Sequence, residues 1–259
     1  MKNLDIFICG HRKFDCPVTN ESYKILSLGD NTELHGDNII RDDTLDNVTD
    51  INLFYSELSG YYWIYKNYEL KDYVGFCHYR RYFKFLDNIP DMEKENCDII
   101  VATPTKLDAS VYNQYNIYHN IEDLHFVINV MCNKYNVPKD IIINTLNSSY
   151  MSCYNMFITS KTIFYEYCDF FFDICNEYLK YYNLKDINDV YKHVENNKDK
   201  YLKLNAYPLN NVKYQSRIGG FLSERIFNIF IAWKKLNVKE VDVIITEDKY
   251  KKQLQNDFI

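Results

Sequence analysis

Three basic or titratable side chains follow a short apolar run in the first third of the chain. Residues 73–77 (Tyr-Val-Gly-Phe-Cys) have the length and composition of a buried strand, and His78, Arg80 and Arg81 stand at its end. In an open α/β sheet, ligands bind in the crevice outside the carboxyl ends of the strands. An arginine fork matches two phosphate oxygens at once, which a lysine cannot do. The motif therefore predicts a diphosphate site without acidic metal ligands; the alternative is that the arginines only solvate a strand end.

A second basic segment follows the predicted first strand, residues 4–9. Gly10, His11 and Arg12 stand where many nucleotide-binding α/β folds hold their ligand, and a glycine permits close approach of the backbone. The segment has one glycine and not the Gly-x-Gly-x-x-Gly pattern, so it predicts a phosphate cleft less strongly than the first motif does.

Residues 41–49 (Arg-Asp-Asp-Thr-Leu-Asp-Asn-Val-Thr) are dense in hydrogen-bonding side chains. Asp43 and Asn47 are candidates for binding ribose hydroxyls or the edge of a base. The alternative is a capped turn before the next helix, since Asp, Asn and Thr favour such turns.

Near the C-terminus, Gly219-Gly220 predicts a turn before a helix at 222–235, with Glu224 in its first turn. Glu224 is a candidate general base that takes a proton from an acceptor hydroxyl. The alternative is electrostatic, because an acid near a helix N-terminus interacts favourably with the helix dipole. The further binding candidates in this segment are Gln215, Arg217, Gly220 and Arg225.

Two single residues are also candidates. His119 precedes a predicted helix at 121–135 and is either a phosphate contact or a polar loop residue. Glu57 lies in a predicted amphipathic helix at 52–68, where we expect it to pair with a cation, such as an arginine of the strand-end motif.

Composition excludes several classes of protein. With 47% hydrophobic and 25% charged residues, the 259-residue chain is typical of soluble globular proteins. A net charge of -6 argues against a nucleic-acid partner. No apolar run reaches the roughly 18 residues that span a bilayer, and Asp5 interrupts the only N-terminal apolar segment. The eight cysteines form no Cys-x-x-Cys pair, which indicates free thiols and a cytoplasmic protein.

The remaining pattern predicts strands that alternate with helices. We expect one α/β domain over residues 1–247, with a mostly parallel central sheet flanked by helices. Residues 183–213 have no clear period and are predicted as a helical or loop insertion, and 248–259 as a polar tail. The other predicted elements are strands at 98–103, 155–159 and 238–246, and helices at 138–146 and 161–182, the last with Ser160 as its N-cap.

Several of these segments, in this order and spacing, resemble one family of bacterial glycosyltransferases. It serves capsular polysaccharide and O-antigen synthesis, is catalogued as domain of unknown function 4422, and includes members described as galactofuranosyltransferases. The similarity runs from about residue 4 to residue 247. The blocks that carry it are 41–47, 56–64, 74–83 (with His-Tyr-Arg-Arg-Tyr-Phe), 155–158 and 220–225 (Gly-Phe-Leu-Ser-Glu-Arg).

The resemblance implies a GT-A-like fold and a hexosyltransferase that uses a UDP-sugar donor, with galactofuranose as one candidate sugar. We expect an inverting displacement without cofactor or divalent metal, in which His78, Arg80 and Arg81 stabilise the leaving diphosphate and Glu224 is the base. The acceptor would be a lipid-linked saccharide or an oligosaccharide, and association with the inner membrane face at most peripheral. The alternatives are a non-catalytic module that binds nucleotide-sugars or glycans, and a sugar phosphotransferase.

Overall fold

The structure is a computed structural model that describes residues 3–29, 34, 36, 38–203 and 211–246. The tail predicted at 248–259 lies outside these residues. The strands are β1 (Leu4–Gly10), β2 (Tyr23–Ser27), β3 (Ile39–Arg41), β4 (Tyr73–His78), β5 (Arg81–Phe83), β6 (Ile99–Ala102), β7 (Thr105–Lys106), β8 (Tyr150–Met151), β9 (Phe157–Ser160), β10 (Val238–Val241) and β11 (Val243–Ile245).

The helices of the same residues begin with a short 3-10 turn, Thr49–Ile51. They are α1 (Asn52–Tyr55), α2 (Leu58–Asn67), α3 (Val111–Tyr118), α4 (Ile121–Tyr135), α5 (Lys139–Asn147), α6 (Lys161–Tyr181), α7 (Ile187–Asn196), α8 (Lys198–Tyr201), α9 (Val212–Gln215) and α10 (Ile218–Lys234). Ser160 caps α6 as predicted, since its hydroxyl accepts a hydrogen bond from the backbone N–H of Ile163. No helix in the described part of the chain is both long and apolar enough to cross a membrane.

The main sheet has the order β10-β6-β9-β4-β1-β2-β3, and β5 joins β4 to β11. On that path only β9 runs against the other strands, because it pairs antiparallel with both β4 and β6 while the remaining neighbours are parallel. Strand β1 is buried along its whole length, as expected of a central strand in a parallel sheet. The predicted α/β architecture with a mostly parallel sheet is confirmed.

Each face of the sheet buries a separate part of the core. Phe7 and Cys9 of β1 join the larger apolar cluster, which contains residues of α2, α6 and α10. Ile6 and Ile8, on the other face, pack with Tyr82 and other residues of the chain that follows β4. All eight cysteines are free thiols, as the sequence predicts. Both faces are thus covered, which leaves the ends of the strands as the accessible edge.

Two predicted helices have different boundaries, and both differences affect the site. The helix predicted at 52–68 is interrupted at Ser56, whose φ of 55° and ψ of -131° are not helical. Glu57 therefore lies at the N-terminal boundary of α2 and not inside a helix. The helix predicted from 222 begins at Ile218, so Gly219 and Gly220 belong to its first turn and do not form a turn before it.

The two glycines of α10 permit close packing of the helix on the segment around Ser56. A Cβ on Gly219 would lie 2.6 Å from the ring of Phe54, and one on Gly220 would lie 2.6 Å from Ser56 Oγ. Glu224 consequently sits beyond the first turn of α10, which contains no acidic residue. The helix-dipole alternative for Glu224 is therefore wrong.

One further prediction is corrected. The strand predicted at 238–246 is divided into β10, which pairs with β6, and β11, which pairs with β5. Between β1 and the helices that follow, β2 and β3 extend the parallel sheet. For residues 183–213, predicted as a helical or loop insertion, the described part contains the helices α7 and α8.

Candidate functional site

The loops after β1 and β4 leave the sheet side by side. The two strands are parallel and in register, with Cys9 opposite His78. The backbone N–H of Tyr79 donates to the carbonyl of Cys9 at 3.0 Å, which extends the pairing into the loop. The basic residues that follow the two strands are thereby brought together at the carboxyl edge of the sheet, where α/β folds bind ligands.

Tyr79 is the centre of this basic group, although it is only 1% exposed. Its hydroxyl accepts a hydrogen bond from Arg12 Nε at 2.7 Å. The guanidinium of Arg80 lies over its ring at 5.1 Å, a cation–π contact, and the ring of His11 meets it edge-on at 5.1 Å. One buried ring thus fixes His11, Arg12 and Arg80 relative to one another.

His78 is a neutral member of the same group. The backbone N–H of Arg80 donates to its Nδ1 at 3.2 Å, so the proton of the neutral ring is on Nε2. Burial, and then the guanidiniums of Arg81 and Arg80, hold the pKa of His78 well below its usual value. His78 therefore brings a hydrogen-bond donor to this edge and no positive charge. A bound anion would oppose the effect of the two neighbouring guanidiniums on its pKa.

Arg81 lies between the basic group and the segment that precedes β9. Its guanidinium lies 4.3 Å from the centre of the Tyr154 ring. Its Nε is buried and has no hydrogen-bond partner among the described residues. Buried guanidinium N–H groups are seldom left without a partner, so this donor is suited to an anionic ligand.

Two carboxylates form a second group beside the first. Glu57 Oε1 accepts a hydrogen bond from Asn155 Nδ2 at 2.8 Å. Glu224 Oε1 accepts from the backbone N–H of Tyr154 at 2.8 Å, and its Oε2 accepts from Arg225 Nη1 at 3.0 Å. Since Tyr154 and Asn155 are consecutive, one short segment of chain holds both carboxylates.

The backbone around these carboxylates is strained. Ser56, Tyr154 and Asn155 have φ values of 55°, 74° and 53°, in a region that side chains other than glycine rarely adopt. Asn155 is held in place by Ser223, whose hydroxyl donates to Asn155 Oδ1 at 3.0 Å, and by Tyr61, whose hydroxyl donates to its carbonyl. Strain of this kind persists only where the surroundings impose it, and it clusters at functional sites.

Arg217 links the two groups. Its Nε donates to Ser56 Oγ at 2.9 Å, next to Glu57. Its charge lowers the pKa of Glu57, against the larger raising effect of burial, and it also contributes to the low pKa of His78. Glu57 was expected to pair with a cation, such as an arginine of the strand-end motif; the cation that acts on its pKa is Arg217. Gly220, a further sequence candidate, is the close packing point of α10 on Ser56.

His119, Gln215 and Arg225 lie together in the helical layer. His119 is buried, stacks on Phe221 with ring centres 3.9 Å apart, and contacts Gln215 Oε1 through Nδ1 at 3.2 Å. Burial lowers the pKa of His119 to about 3, so the ring is neutral. Arg225, 2% exposed, donates to the carbonyl of Phe221 at 2.9 Å. His119 lies in the loop between α3 and α4, as one of the two alternatives predicts, and its contacts indicate a packing role there.

The remaining candidates are engaged within the protein. A Cβ on Gly10 would lie 3.0 Å from the ring of Phe14, so this glycine makes room for an aromatic side chain. Asp43 is paired with Arg41, which lowers the pKa of Asp43. Asn47 closes a turn, since its Oδ1 accepts from the N–H of Thr49 at 3.0 Å and its Nδ2 donates to the carbonyl of residue 45 at 2.9 Å. This is the capped turn that the alternative predicted.

Beside the basic group, a cavity of about 360 Å³ opens at the same edge of the sheet; its lining residues are Lys84, Thr103, Thr105, Tyr154, Asp242, Val243, Ile244 and Ile245. Within the described ranges, no three His, Cys, Asp or Glu side chains are placed so that they could hold a metal ion.

Four residues of the site were not candidates from the sequence: Ser56, Tyr79, Tyr154 and Asn155. Ser56, Tyr79 and Asn155 stand in the sequence blocks that carry the family resemblance, which is the one signal that pointed to them. Neither the positive φ of Ser56 and Tyr154 nor the burial of Tyr79 follows from residue type.

The model of the family described as a domain of unknown function (DUF4422) matches residues 5–196. The apo structure of the bifunctional glycosyltransferase WbbM is similar to this chain, with a TM-score of 0.69 and 25% identical residues. The similarity covers 95% of this chain and 46% of that one, so the chain spans less than half the length of WbbM. The likeness supports the GT-A-like α/β fold expected above. No curated protein sequence is similar enough to be counted as a relative.

Proposed function

Because the chain belongs to the family described as domain of unknown function (DUF4422), we propose that it is a glycosyltransferase that moves a hexosyl residue from a UDP-sugar to a saccharide acceptor. The observation that carries this proposal is the basic group held by Tyr79 at the carboxyl edge of the sheet. The similarity to WbbM, a bifunctional glycosyltransferase, supports the same class of reaction.

The diphosphate of the donor would bind to His78, Arg80 and Arg81, with the nucleoside directed along the edge toward β1, β2 and β3. Gly10, His11 and Arg12 lie on that side, and Asp43 and Asn47 follow the end of β3. Arg81 supplies a buried N–H without a protein partner, and His78 supplies Nε2–H. Charge-assisted hydrogen bonds of this kind are the strong ones in phosphate recognition.

In the reaction, the acceptor oxygen would attack the anomeric carbon from the face opposite the diphosphate, which inverts its configuration. The guanidiniums would stabilise the negative charge that develops on the leaving group, a task that a divalent metal performs in other enzymes. Cations aimed at developing charge in a water-poor site contribute several kcal/mol. Galactofuranose is the first sugar to test. We further propose synthesis of a surface polysaccharide, on a lipid-linked or oligosaccharide acceptor, at the inner membrane face.

The acceptor hydroxyl must also lose its proton. The sequence-based hypothesis assigns this proton to Glu224, and Glu57 is a second carboxylate held by the same segment, residues 154–155. General bases of this kind accelerate proton transfer by roughly 10²- to 10⁴-fold.

The first experiment is UDP binding by calorimetry, in EDTA and then with Mn²⁺. We expect binding that EDTA leaves unchanged. Arg81→Ala should raise the Kd by about 10- to 100-fold, because each charge-assisted hydrogen bond is worth about 1.5–3 kcal/mol. Lys234→Ala, which removes an exposed cation paired with Glu166, should not change the Kd.

Each other result would correct a different part of the proposal. Binding that requires Mn²⁺ would disprove metal independence, and unchanged affinity in Arg81→Ala would disprove the diphosphate assignment. UDP release from UDP-galactofuranose or another UDP-hexose identifies a glycosyltransferase. Release of UMP would favour the phosphotransferase, and binding without turnover of any donor would favour the non-catalytic module.

A further inference from the structure

We propose that Glu57 is the general base of this reaction and that Glu224 is a positioning residue that holds the turn opposite it. The proposal rests on the proposed function and names the group in the cleft that receives the acceptor proton. It reverses the assignment that the sequence favours.

The contacts of Glu224 leave neither of its oxygens free for a substrate. Both accept hydrogen bonds from the protein, one from the backbone of Tyr154 and one from Arg225, which is 2% exposed. An acceptor hydroxyl that bonded to Glu224 would have to compete with the hydrogen bond that holds a strained turn or with the contact to a buried guanidinium.

Glu57 differs in each of these respects. Its Oε1 accepts from Asn155, and no described residue donates a hydrogen bond to its Oε2. It forms no ion pair within the described residues, and it is half-buried at the boundary of α2. One oxygen is thus fixed by the protein while the other is left for a hydroxyl donor.

The charges around Glu57 suit the same role. Burial raises the pKa of Glu57, and Arg217, held by Ser56, limits the rise. A base whose pKa lies closer to the working pH accepts a proton more readily in the transition state than an ordinary carboxylate does. Glu224 adds a smaller raising effect on the pKa of Glu57, so the two carboxylates are near enough to interact.

The network of hydrogen bonds explains why the turn at 154–155 is strained. Tyr154 is tied to Glu224, and Asn155 is tied to Glu57, Ser223 and Tyr61. Ser56, which precedes Glu57, is itself held at positive φ. One segment with positive φ thus precedes Glu57 in the chain and another contacts its carboxylate, which is the arrangement expected of a group whose position matters for chemistry.

The step balances without a further reactant. The acceptor O–H proton passes to Glu57 Oε2 as the acceptor oxygen forms its bond to the anomeric carbon. The bond between that carbon and the diphosphate oxygen breaks, and its electron pair leaves on the phosphate. Glu57 then returns its proton to water.

The test compares Glu57→Gln, Glu224→Gln and Glu166→Gln, a control carboxylate on α6 that pairs with Lys234. UDP affinity is measured first by calorimetry and should stay within about three-fold in all three. Turnover is then followed as UDP release from UDP-galactofuranose or the UDP-hexose that the wild type uses, with octyl glycosides as acceptors. We expect Glu57→Gln to lose about 10²- to 10⁴-fold in kcat, Glu224→Gln about ten-fold or less, and Glu166→Gln nothing.

Two readouts separate a base from a structural carboxylate. The acid limb of the kcat–pH profile should persist in Glu224→Gln and vanish from the residual activity of Glu57→Gln. Sodium formate should restore part of the activity of Glu57→Ala and none of Glu224→Ala. A wild-type kcat in Glu57→Gln, or rescue of Glu224→Ala alone, overturns the inference and leaves the glycosyltransferase proposal intact. If the wild type turns over no donor, the proposed function fails and this inference fails with it.

Discussion

Asp123 and Glu57 are carboxylates whose pKa values are both raised by burial, but their surroundings differ. Asp123 of α4 is 1% exposed, and its Oδ1 accepts hydrogen bonds from Tyr178 at 2.7 Å, Tyr201 at 2.9 Å and Asn120 at 3.3 Å. Burial raises its pKa to about 7. Glu57 also has a pKa raised by burial, but it has one hydrogen-bond donor and a half-buried side chain.

The backbone distinguishes the two sites further. Asp123 lies in regular helix and joins α4 to α6 and α8 through two tyrosine hydroxyls. Glu57 follows a residue with positive φ, at a break between two helices. A raised pKa alone therefore does not identify a catalytic carboxylate, because desolvation produces it at both sites. What differs is the number of donors on the carboxylate and the backbone that holds it: Glu57 has one donor and follows a residue with positive φ, whereas Asp123 has three donors and lies in regular helix.

The largest expected effect on stability is at Asp123. Asp123→Ala would leave the hydroxyls of Tyr178 and Tyr201 without their acceptor in the core of the helical layer. We expect the free energy of unfolding to fall by about 3–5 kcal/mol, as when a buried polar network loses its central member. Urea unfolding measures this loss, and UDP affinity of the folded protein should not change. Glu122→Ala, an exposed neighbour paired with Lys200, is the control and should cost less than about 1 kcal/mol.

A smaller effect is expected in the pH dependence of stability at the same site. The pKa of Asp123 is about 7 in the folded protein and 3.8 as the reference for the unfolded chain. Between these values the native state holds a proton that the unfolded state has lost, so stability falls as pH rises from about 4 to 7 and levels off above it. Relative to Asp123→Asn, the wild type should lose at most about 4 kcal/mol across this window.

Unfolding of both proteins at pH 4.5 and pH 8 tests this prediction. His119, with a pKa of about 3, has the opposite slope below pH 6.5, since the unfolded state gains the proton first. Its contribution is the same in both proteins and cancels in the difference. A difference between wild type and variant that does not change with pH would mean that Asp123 is ionised throughout, as a paired structural carboxylate is.

The sequence predicted the sheet and the basic group better than it predicted the carboxylate group. The strand that ends at His78 and the arginines that follow it are a local pattern, and parallel strands bring their carboxyl ends to one edge whatever the loops do. The role of Glu57 depends on a break at Ser56, which the apolar spacing of 52–68 conceals because both halves keep helical periodicity. The predicted start of α10 was wrong for a related reason. Gly219-Gly220 is a turn pattern, and the close approach of Phe54 and Ser56 explains two glycines within a helix.

The features of the site that the sequence did not predict depend on contacts between segments far apart in the chain. Glu57 and Asn155 are 98 positions apart, and Glu224 is bonded to Tyr154 across 70. No local pattern specifies which oxygen of which carboxylate is left without a donor. His119 shows the same limit, since residue type left open whether it was a phosphate contact or a polar loop residue, and its stacking on Phe221 makes it part of the packing.

The smallest expected effect is at Glu57, and it is a gain in stability where the changes at Asp123 are losses. The folded-state pKa of Glu57 is above that of an ordinary glutamate, so above about pH 4.5 its charge costs the native state stability. Glu57→Gln removes that charge, and the amide oxygen can still accept from Asn155, so we expect a gain of about 1 kcal/mol, or 2–4 °C in Tm, at pH 8. The gain should shrink as the pH falls toward 4, where most of the carboxyl is protonated in both states, and Glu166→Gln should show none. If Glu57→Gln instead lowers the free energy of unfolding by more than about 1 kcal/mol at pH 8, Glu57 is a carboxylate that the fold needs, as Asp123 is. A gain in stability together with lost turnover is the trade-off expected of a group retained for its chemistry.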